Sequence, residues 1–157
     1  MLAKVKEFPE DHAVTYERRD LEDDLQLSAT FFDFAFSSLA FHYVANFQEL
    51  VSQVHGSLKP GAEFVFTALH PIRSVEDNAR WVEHLEGQGK WPVLGKPVHF
   101  RHRTIATYMT VFLETGFTLS AFSEWSPEPD GLKEFPFWRE SGNCSMFMIF
   151  KFVKPKV

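Results

Sequence analysis

The sequence predicts an α/β fold built on a mainly parallel sheet that is covered on both faces. Three consecutive segments predict it: an almost continuous apolar run at Phe31–Ser37, a helical pattern over residues 46–58 and a second apolar run at Glu63–Leu69. A strand without polar alternation is typical of a parallel sheet buried on both sides. A strand, a crossover helix and another strand form the right-handed parallel unit.

The helix between these strands has a start signal, an apolar face and a stop signal. Asn46 is a candidate N-cap, with Glu49 three residues later as in a capping box. Lys59–Gly61 predicts a turn that ends the helix. The apolar face follows helical spacing and consists of Phe47, Leu50, Val51, Val54 and Leu58.

Four further elements are predicted outside this unit. The alternating run Val14–Arg18 predicts a short strand. Thr104 caps a second helix, and Gly116 stands where a left-handed residue ends it. Strands are predicted at Phe117–Trp125 and at Cys144–Val153, the latter well covered. The apolar face of the second helix comprises Ile105, Tyr108, Met109, Phe112 and Leu113.

The whole chain, residues 1–157, is predicted to form a single domain. In residues 70–101 the apolar residues follow neither helical nor strand spacing for more than two turns, and tryptophan, proline and glycine are mixed with charged residues. We therefore expect a lid or insertion there. Eighteen phenylalanines are more than an ordinary core needs. We favour core filling, and an apolar ligand pocket walled by aromatic rings is the alternative.

Composition excludes several classes of function. Lys+Arg number 16 and Asp+Glu 21, for a net charge of −5, and no basic stripe tracks a phosphate backbone, so no nucleic-acid partner is expected. The only cysteine, Cys144, cannot form a disulfide or a thiolate metal site within the chain. The apolar runs are too short to cross a membrane, and the N-terminus has no signal-peptide core. We therefore expect a cytoplasmic protein.

The central segments also carry a specific pattern. Residues 32–44 read FDFAFSSLAFHYV, and residues 58–66, after the capped helix, read LKPGAEFVF. They resemble the fourth and fifth strands of class I S-adenosylmethionine-dependent methyltransferases, in a bacterial type 11-like branch that acts on small molecules. Residues 16–22 resemble the third strand of that family. Residues 70–72, 102–104 and 114–117 match further motifs, so the similarity covers nearly the whole chain.

The resemblance implies a Rossmann-like sheet with helices on both faces and an antiparallel last strand. The family's strand order is 3-2-1-4-5-7-6, and residues 1–6 already resemble the helix after the second strand. The expectation is an N-terminally truncated domain that lacks the first two strands and the glycine-rich cofactor loop. Strand 4 would then have an open edge, and such an edge recruits another strand. We expect strand 3 to close onto strand 4, or two copies of the chain to pair as a dimer.

The resemblance implies S-adenosylmethionine as cofactor. Asp20 and Leu21 would border its adenine, and Ser37, Ser38 and Leu39 would lie beside its methionine moiety at the carboxyl end of a strand, where α/β sheets bind ligands. The missing loop would remove the usual contacts to that moiety. The alternatives are that Asp20 is a turn acceptor and that the two serines cap the strand end.

Three histidines are candidate general bases at the same rim: His42, His70 and His102. A backbone hydrogen bond is the alternative for His42. A metal site of His70, His99 and His102 has no recognised spacing and no acidic companion, so no metal is predicted. The aromatic residues Tyr108, Trp125, Trp81 and Trp91 either shape an acceptor pocket or serve packing.

Two functional hypotheses follow from the sequence. The first is methyl transfer to a small-molecule acceptor, which the sequence does not identify. The second is a non-catalytic binding or assembly module that keeps the fold with little or no affinity for the cofactor.

Overall fold

The computed structural model describes residues 14–73, 86–90, 97–128 and 145–156, with the backbone alone at residues 73, 86–90 and 97–99. The predicted positions Trp81, Trp91 and Cys144 lie outside the described residues. The elements, in chain order, are β1 (Phe32–Ser38), a 3-10 turn (Phe41–Tyr43), α1 (Phe47–Ser57), β2 (Leu58–Leu69), a second 3-10 turn (Pro71–Arg73), β3 (Glu86–Lys90), β4 (Pro97–Arg101), α2 (Ile105–Thr115), β5 (Thr118–Trp125) and β6 (Phe147–Val153).

Four strands form one sheet in the order β1-β2-β6-β5. β1 and β2 are parallel, and β6 runs antiparallel to both of its neighbours, β2 and β5. This order is the 4-5-7-6 half of the sheet implied by the resemblance, so the predicted class and the antiparallel last strand are confirmed. β3 and β4 form a separate antiparallel ribbon inside the segment predicted to be a lid.

Both helices lie on the same face of the sheet, whereas the sequence predicted helices on both faces. α1 joins β1 to β2, and α2 leads into β5. β5 lies beyond β2 when the sheet is followed from β1, and it runs parallel to β2. Right-handed crossovers that progress in one direction place their helices on one face. Among the described residues, no helix covers the opposite face.

The space between this face and the helices is filled by aromatic rings. Phe112 of α2 stacks on Phe152 at 4.3 Å between ring centroids and on Phe66 at 5.0 Å, and Phe66 stacks on Phe150 at 4.7 Å. Offset and tilted ring pairs add about 0.5–1.5 kcal/mol each to the effect of burial. The prediction that phenylalanine fills the core is confirmed for these residues. Other members of the buried cluster are Phe41, Phe47, Phe64, Tyr108 and Phe117.

The helix ends are partly as predicted. The Thr104 hydroxyl accepts from the Thr107 N–H at 3.0 Å, and Gly116 has φ of 105°. Asn46, however, makes no side-chain cap, so the predicted capping box is wrong. At the other end of α1, the Lys154 ammonium donates to the carbonyls of His55 and Leu58, each at 2.8 Å. A cation satisfies terminal carbonyls and opposes the helix dipole there.

Three expectations about the strands are corrected. Residues Val14–Arg18 are exposed and form no strand, because no strand lies beside them to complete the backbone hydrogen bonds. β1 is covered on one face only: Phe34 is 52% exposed and Phe36 is 61% exposed. Lys59–Gly61 is the irregular start of β2 rather than a turn between elements, and Gly61 takes up the irregularity with φ of 84°.

The outer edge of β1 is open. Within the described ranges, no strand pairs with that edge, so strand 3 does not close onto strand 4 as one of the two expectations proposed. The expected pairing of two copies stays a prediction. Neither α1 nor α2, the α-helices of the described residues, is long and apolar enough to cross a lipid bilayer.

We predict that Phe112→Ala lowers the free energy of unfolding by about 3–5 kcal/mol, because it opens a cavity in the stacked rings. The adjacent Leu113, which is 50% exposed on the same helix, gives the control: Leu113→Ala should change stability by no more than about 0.5 kcal/mol. Urea unfolding at equal m-values measures both. Equal losses in the two variants would contradict a core organised around Phe112.

Candidate active site

A cleft of about 420 Å³ lies beyond the carboxyl end of β1. One wall is the coil that precedes β1 in the chain, and the other is the segment that follows β1. Its size is within the range of small-molecule sites, and the end of a parallel strand is where such sites form. The residues that line it are Arg18, Arg19, Asp20, Leu21, Glu22, Ala40, Tyr43 and Val44.

Glu22 fixes the first wall to the start of α1. Its carboxylate accepts a short hydrogen bond from the Ala45 N–H and another from the Asn46 N–H at 3.1 Å. These backbone donors hold the pKa of Glu22 below its usual range. The carboxylate thus caps α1 in place of the Asn46 side chain, and it also stands at the positive end of the helix dipole.

Arg103 fixes the second wall from inside the molecule. Arg103 is only 6% exposed, and its guanidinium donates to the Phe41 carbonyl at 2.9 Å and, through a shorter bond, to the Val44 carbonyl. It also lies 4.9 Å from the centre of the Phe47 ring. Burial lowers the pKa of Arg103, while the phenol of Tyr108, which hydrogen-bonds it, acts in the opposite direction. The 3-10 turn at Phe41–Tyr43 is therefore held by a buried cation.

Neither of these two anchoring residues, Glu22 and Arg103, was predicted from the sequence to have a role. Arg103 lies in the motif at residues 102–104, and Glu22 lies in the motif at residues 16–22. The motifs therefore included both residues but did not indicate what either side chain binds. Their partners are backbone groups, and a contact with the backbone cannot be predicted from the spacing of residue types along the sequence.

The predicted adenine residues, Asp20 and Leu21, both line the cleft. Oδ1 of Asp20 also accepts from the Glu22 N–H at 3.1 Å, so the turn-acceptor alternative applies to the same carboxylate. A carboxylate has two oxygens and accepts several hydrogen bonds, so one turn contact leaves capacity for a ligand. Cofactor binding by Asp20 and Leu21 stays a prediction.

The predicted methionine-side residues lie at the end of β1 and outside the cleft lining. Ser37 is in the ladder opposite Phe66, and the Ser38 hydroxyl is 3.3 Å from the Thr67 hydroxyl. Leu39 donates its N–H to the Thr67 carbonyl at 3.1 Å and has φ of 51°, a left-handed backbone that turns the chain toward the cleft. These contacts agree with the alternative that Ser37 and Ser38 cap the end of the strand. A cofactor role for Ser37, Ser38 and Leu39 remains a prediction.

His42 is buried in the 3-10 turn and is 2% exposed. Within the described part of the chain neither ring nitrogen has a hydrogen-bond partner, so the alternative of a backbone hydrogen bond is wrong there. Burial, assisted by the charge of Arg103, lowers the pKa of His42 to about 4, so the ring is neutral near pH 7. His42 lies behind the cleft wall, and its neighbour Tyr43 is the residue that lines the cleft.

His70 is engaged at both ring nitrogens. Nδ1 accepts from the Ile72 N–H at 3.2 Å, which leaves the proton on Nε2, and Nε2 donates to Glu124 at 2.7 Å. The pair joins the end of β2 to β5. The metal alternative of His70, His99 and His102 includes the His99 side chain, which lies outside the described side chains. The side chains that the structure describes contain no group of three possible metal ligands.

His102 is also buried, and burial lowers its pKa. It follows β4, which contacts the 3-10 turn of His42, and it precedes Arg103, which binds that turn. Of the predicted aromatic residues, Tyr108 belongs to the core, whereas Trp125 is partly exposed and stacks on Phe147 at 5.7 Å.

Comparison with known proteins decides the family. The chain is similar to an S-adenosylmethionine-dependent methyltransferase from Mesorhizobium loti, for which a crystal structure is known. The two sequences are 33% identical, and the structures superpose with a TM-score of 0.78. The match covers 98% of this chain and 75% of that protein's chain. The chain belongs to the S-adenosylmethionine-dependent methyltransferases. A family described as a methyltransferase domain also matches, over residues 1–66.

Two other relatives of this methyltransferase are informative. A protein of Listeria monocytogenes assigned to the same class is 25% identical, with a TM-score of 0.81 over 99% of this chain and 76% of that one. A Haemophilus influenzae protein of unassigned function is 28% identical over 121 residues. The chain spans about half, 47%, of the length of that curated relative. The cofactor of the family is S-adenosylmethionine.

We predict that Arg103→Met destabilises the protein by about 2–4 kcal/mol, because the carbonyls of Phe41 and Val44 lose a charged donor while they stay buried. Arg19→Met provides the control, since Arg19 is exposed and pairs only with Glu17, and should change stability by less than about 0.5 kcal/mol. Urea unfolding measures the difference. A loss below 1 kcal/mol for Arg103→Met would show that the turn is held by other contacts.

His42 should make stability depend on pH. Its folded pKa of about 4 lies below the ordinary value of 6.5, so the unfolded chain binds a proton between these limits and the folded chain does not. The contribution is fully present above pH 6.5 and is lost as pH falls toward 4, by about 1.4 kcal/mol per pH unit. His102 acts in the same direction.

The variant His42→Leu isolates this contribution, because it keeps an apolar volume and removes the titrating ring. We expect the wild type to lose about 2 kcal/mol more than the variant between pH 7 and pH 5, measured by urea unfolding at both values. Parallel losses in the two proteins would contradict a buried neutral His42.

Proposed function

We propose that this chain transfers the methyl group of S-adenosylmethionine to a small-molecule acceptor and that the cleft binds the nucleoside end of the cofactor. The observation that carries the proposal is that Asp20 and Leu21 share one cleft with residues following β1, at the carboxyl end of a parallel strand. Family membership gives the reaction class, and the cleft supplies a place for it.

The cleft residues suit a nucleoside. Leu21, Ala40 and Val44 offer apolar contacts for a planar base, Tyr43 offers an aromatic ring, and the Asp20 carboxylate can accept from an exocyclic amine. At the methionine end, Ser37, Ser38 and the backbone of Leu39 would offer polar groups. When bound, the cofactor would supply an electrophilic methyl group on a sulfonium.

The protein's part in such a reaction is mainly positioning and exclusion of water, because methyl transfer needs an in-line approach. A base is needed only if the acceptor carries a proton. The three candidate histidines, His42, His70 and His102, remain the proposed sources of such a base. In the described structure none of them lines the cleft: His42 and His102 are buried, and both ring nitrogens of His70 are engaged. A base role would therefore require one of these rings to become accessible from the cleft.

The proposal extends to the surroundings of the cleft. Residues 70–101 would act as its lid, which is supported by the contact between β4 and the 3-10 turn that carries His42. A reducing cytoplasm is the proposed location, because one cysteine cannot form a disulfide within the chain. We propose further that the chain forms a homo-oligomer through the open edge of β1, since such an edge is a template for another strand.

Isothermal titration with S-adenosylhomocysteine and with S-adenosylmethionine tests the cofactor site. We expect a dissociation constant below 1 mM for the wild-type chain and an affinity about 10-fold weaker for Asp20→Asn, which keeps an acceptor for the turn but removes the carboxylate charge. Asp23→Asn, in the same exposed segment and outside the cleft lining, is the matched control and should bind like the wild type.

The outcome distinguishes the two functional hypotheses. Saturable binding that weakens selectively in Asp20→Asn supports the cofactor site. Absence of binding in a folded protein, verified by circular dichroism, would overturn the proposal and favour a non-catalytic binding or assembly module.

A further inference from the structure

A histidine and a carboxylate form a pair at the carboxyl edge of the sheet. β1, β2 and β5 run parallel to one another, so their carboxyl ends lie at the same edge. His70 directly follows β2, and Glu124 is the last residue but one of β5. Because neighbouring strands lie about 4.8 Å apart, His70 stands about 5 Å and Glu124 about 14 Å from the line of β1, beyond which the cleft lies.

The Glu124 side chain lies on the face of the sheet that the helices cover. Phe122, two residues earlier in β5, contacts the core ring of Phe150 at 4.7 Å between centroids. Side chains alternate along a strand, so Glu124 projects from the same face as Phe122. In the ladder Glu124 stands opposite Met148, which is fully buried. The carboxylate is therefore at the margin of the apolar layer, above β6.

A neutral partner fixes the direction of this carboxylate. Nδ1 of His70 accepts from the Ile72 N–H at 3.2 Å, so the ring proton is on Nε2, which donates to Oε1 of Glu124 at 2.7 Å. The His70 side chain is 10% exposed, whereas the Glu124 side chain is 44% exposed. The buried ring therefore holds one oxygen of a carboxylate whose other oxygen can still accept.

The negative charge of Glu124 has no cation beside it. His70 is neutral in this arrangement, and among the described residues Glu124 pairs with no lysine or arginine. A carboxylate that is oriented by a donor, partly accessible and uncompensated in charge is suited to bind a cation, because charge-assisted hydrogen bonds are the stronger ones.

We propose that Glu124 binds a protonated amine of the methyl acceptor and that His70 is the positioning residue that orients its carboxylate. The inference rests on the proposed function, and it names the class of acceptor as a small molecule with a cationic amine. Because a protonated amine has no lone pair to attack a methyl group, this amine serves recognition and another group of the same molecule is methylated.

The place of the pair along the edge agrees with this role. Methyl transfer requires the acceptor to approach the methyl group in line, from the side opposite the sulfur. With the nucleoside in the cleft beyond β1 and the methionine moiety beside Ser38, the free part of the carboxyl edge lies toward β5. Glu124 stands on that part of the edge and outside the cleft lining.

Binding of benzylamine tests the inference without turnover. Benzylamine is protonated at pH 7, and benzyl alcohol is the matched probe with the same ring and no charge. The ¹³C-methyl signal of Met148, which stands opposite Glu124, reports binding in a chain labelled at methionine. We expect a saturable shift with benzylamine and at least about 10-fold weaker binding of benzyl alcohol. Equal binding of the two probes would overturn the inference.

Variants assign the roles of the two residues. Glu124→Gln should weaken the binding of benzylamine by about 10-fold or more. Glu128→Gln, which removes the same charge at an exposed position four residues later, is the matched control and should bind like the wild type. His70→Leu should also weaken binding, and His70→Gln, whose amide can donate to the carboxylate, should restore most of it.

Circular dichroism verifies that each variant is folded. Glu124 is partly exposed, so Glu124→Gln still tests the inference if the buried change His70→Leu prevents folding. A folded Glu124→Gln chain that binds benzylamine as tightly as the wild type would show that the pair only joins β2 to β5.

Titration with S-adenosylhomocysteine separates this inference from the proposed function. Glu124→Gln should bind S-adenosylhomocysteine like the wild type, because Glu124 does not line the cleft. Binding of S-adenosylhomocysteine without selective binding of benzylamine would refute the amine site alone. Selective binding of benzylamine without S-adenosylhomocysteine would support the amine site and refute the proposed cofactor site.

Discussion

One apolar layer between a single face of the sheet and two helices holds the described part of this protein together. Phe66, Phe112, Phe150 and Phe152 form its centre. The two edge strands contribute only partly buried side chains to it, Ala35 from β1 and Leu119 and Phe122 from β5. The crossover helices follow parallel strands in one direction along the sheet, so both come to the same side. Everything on the opposite face, including Phe34 and Phe36, stays outside this layer.

The candidate site depends on the layer through two charged residues at its margin. Arg103, just before α2, donates to the carbonyls of Phe41 and Val44 in and after the 3-10 turn. Glu22, in the coil before β1, accepts from the N–H groups of Ala45 and Asn46 just before α1. Opposite charges thus hold opposite walls of the cleft, each through backbone partners. A guanidinium buried among rings keeps its charge because it has several carbonyl acceptors and the Phe47 ring. His42, between these anchors, is left neutral by the same burial.

Among the described residues, the uncovered face of the sheet is a consequence of the one-sided placement of the helices. A parallel strand that is buried on both faces in a complete doubly wound sheet is half-exposed in β1, while its sequence remains that of a buried strand.

By itself, the sequence determined the strand-helix-strand unit, the cap at Thr104, the left-handed Gly116 and, through resemblance, the family and the strand order. These features arise from local backbone preferences and apolar periodicity, which are written in neighbouring residues. The tertiary structure decided the absence of a strand at Val14–Arg18, the exposed face of β1, the Glu22 cap and the Arg103 anchor. Each of these features depends on which groups, distant along the sequence, come together in space. The spacing of residues along the chain does not determine that.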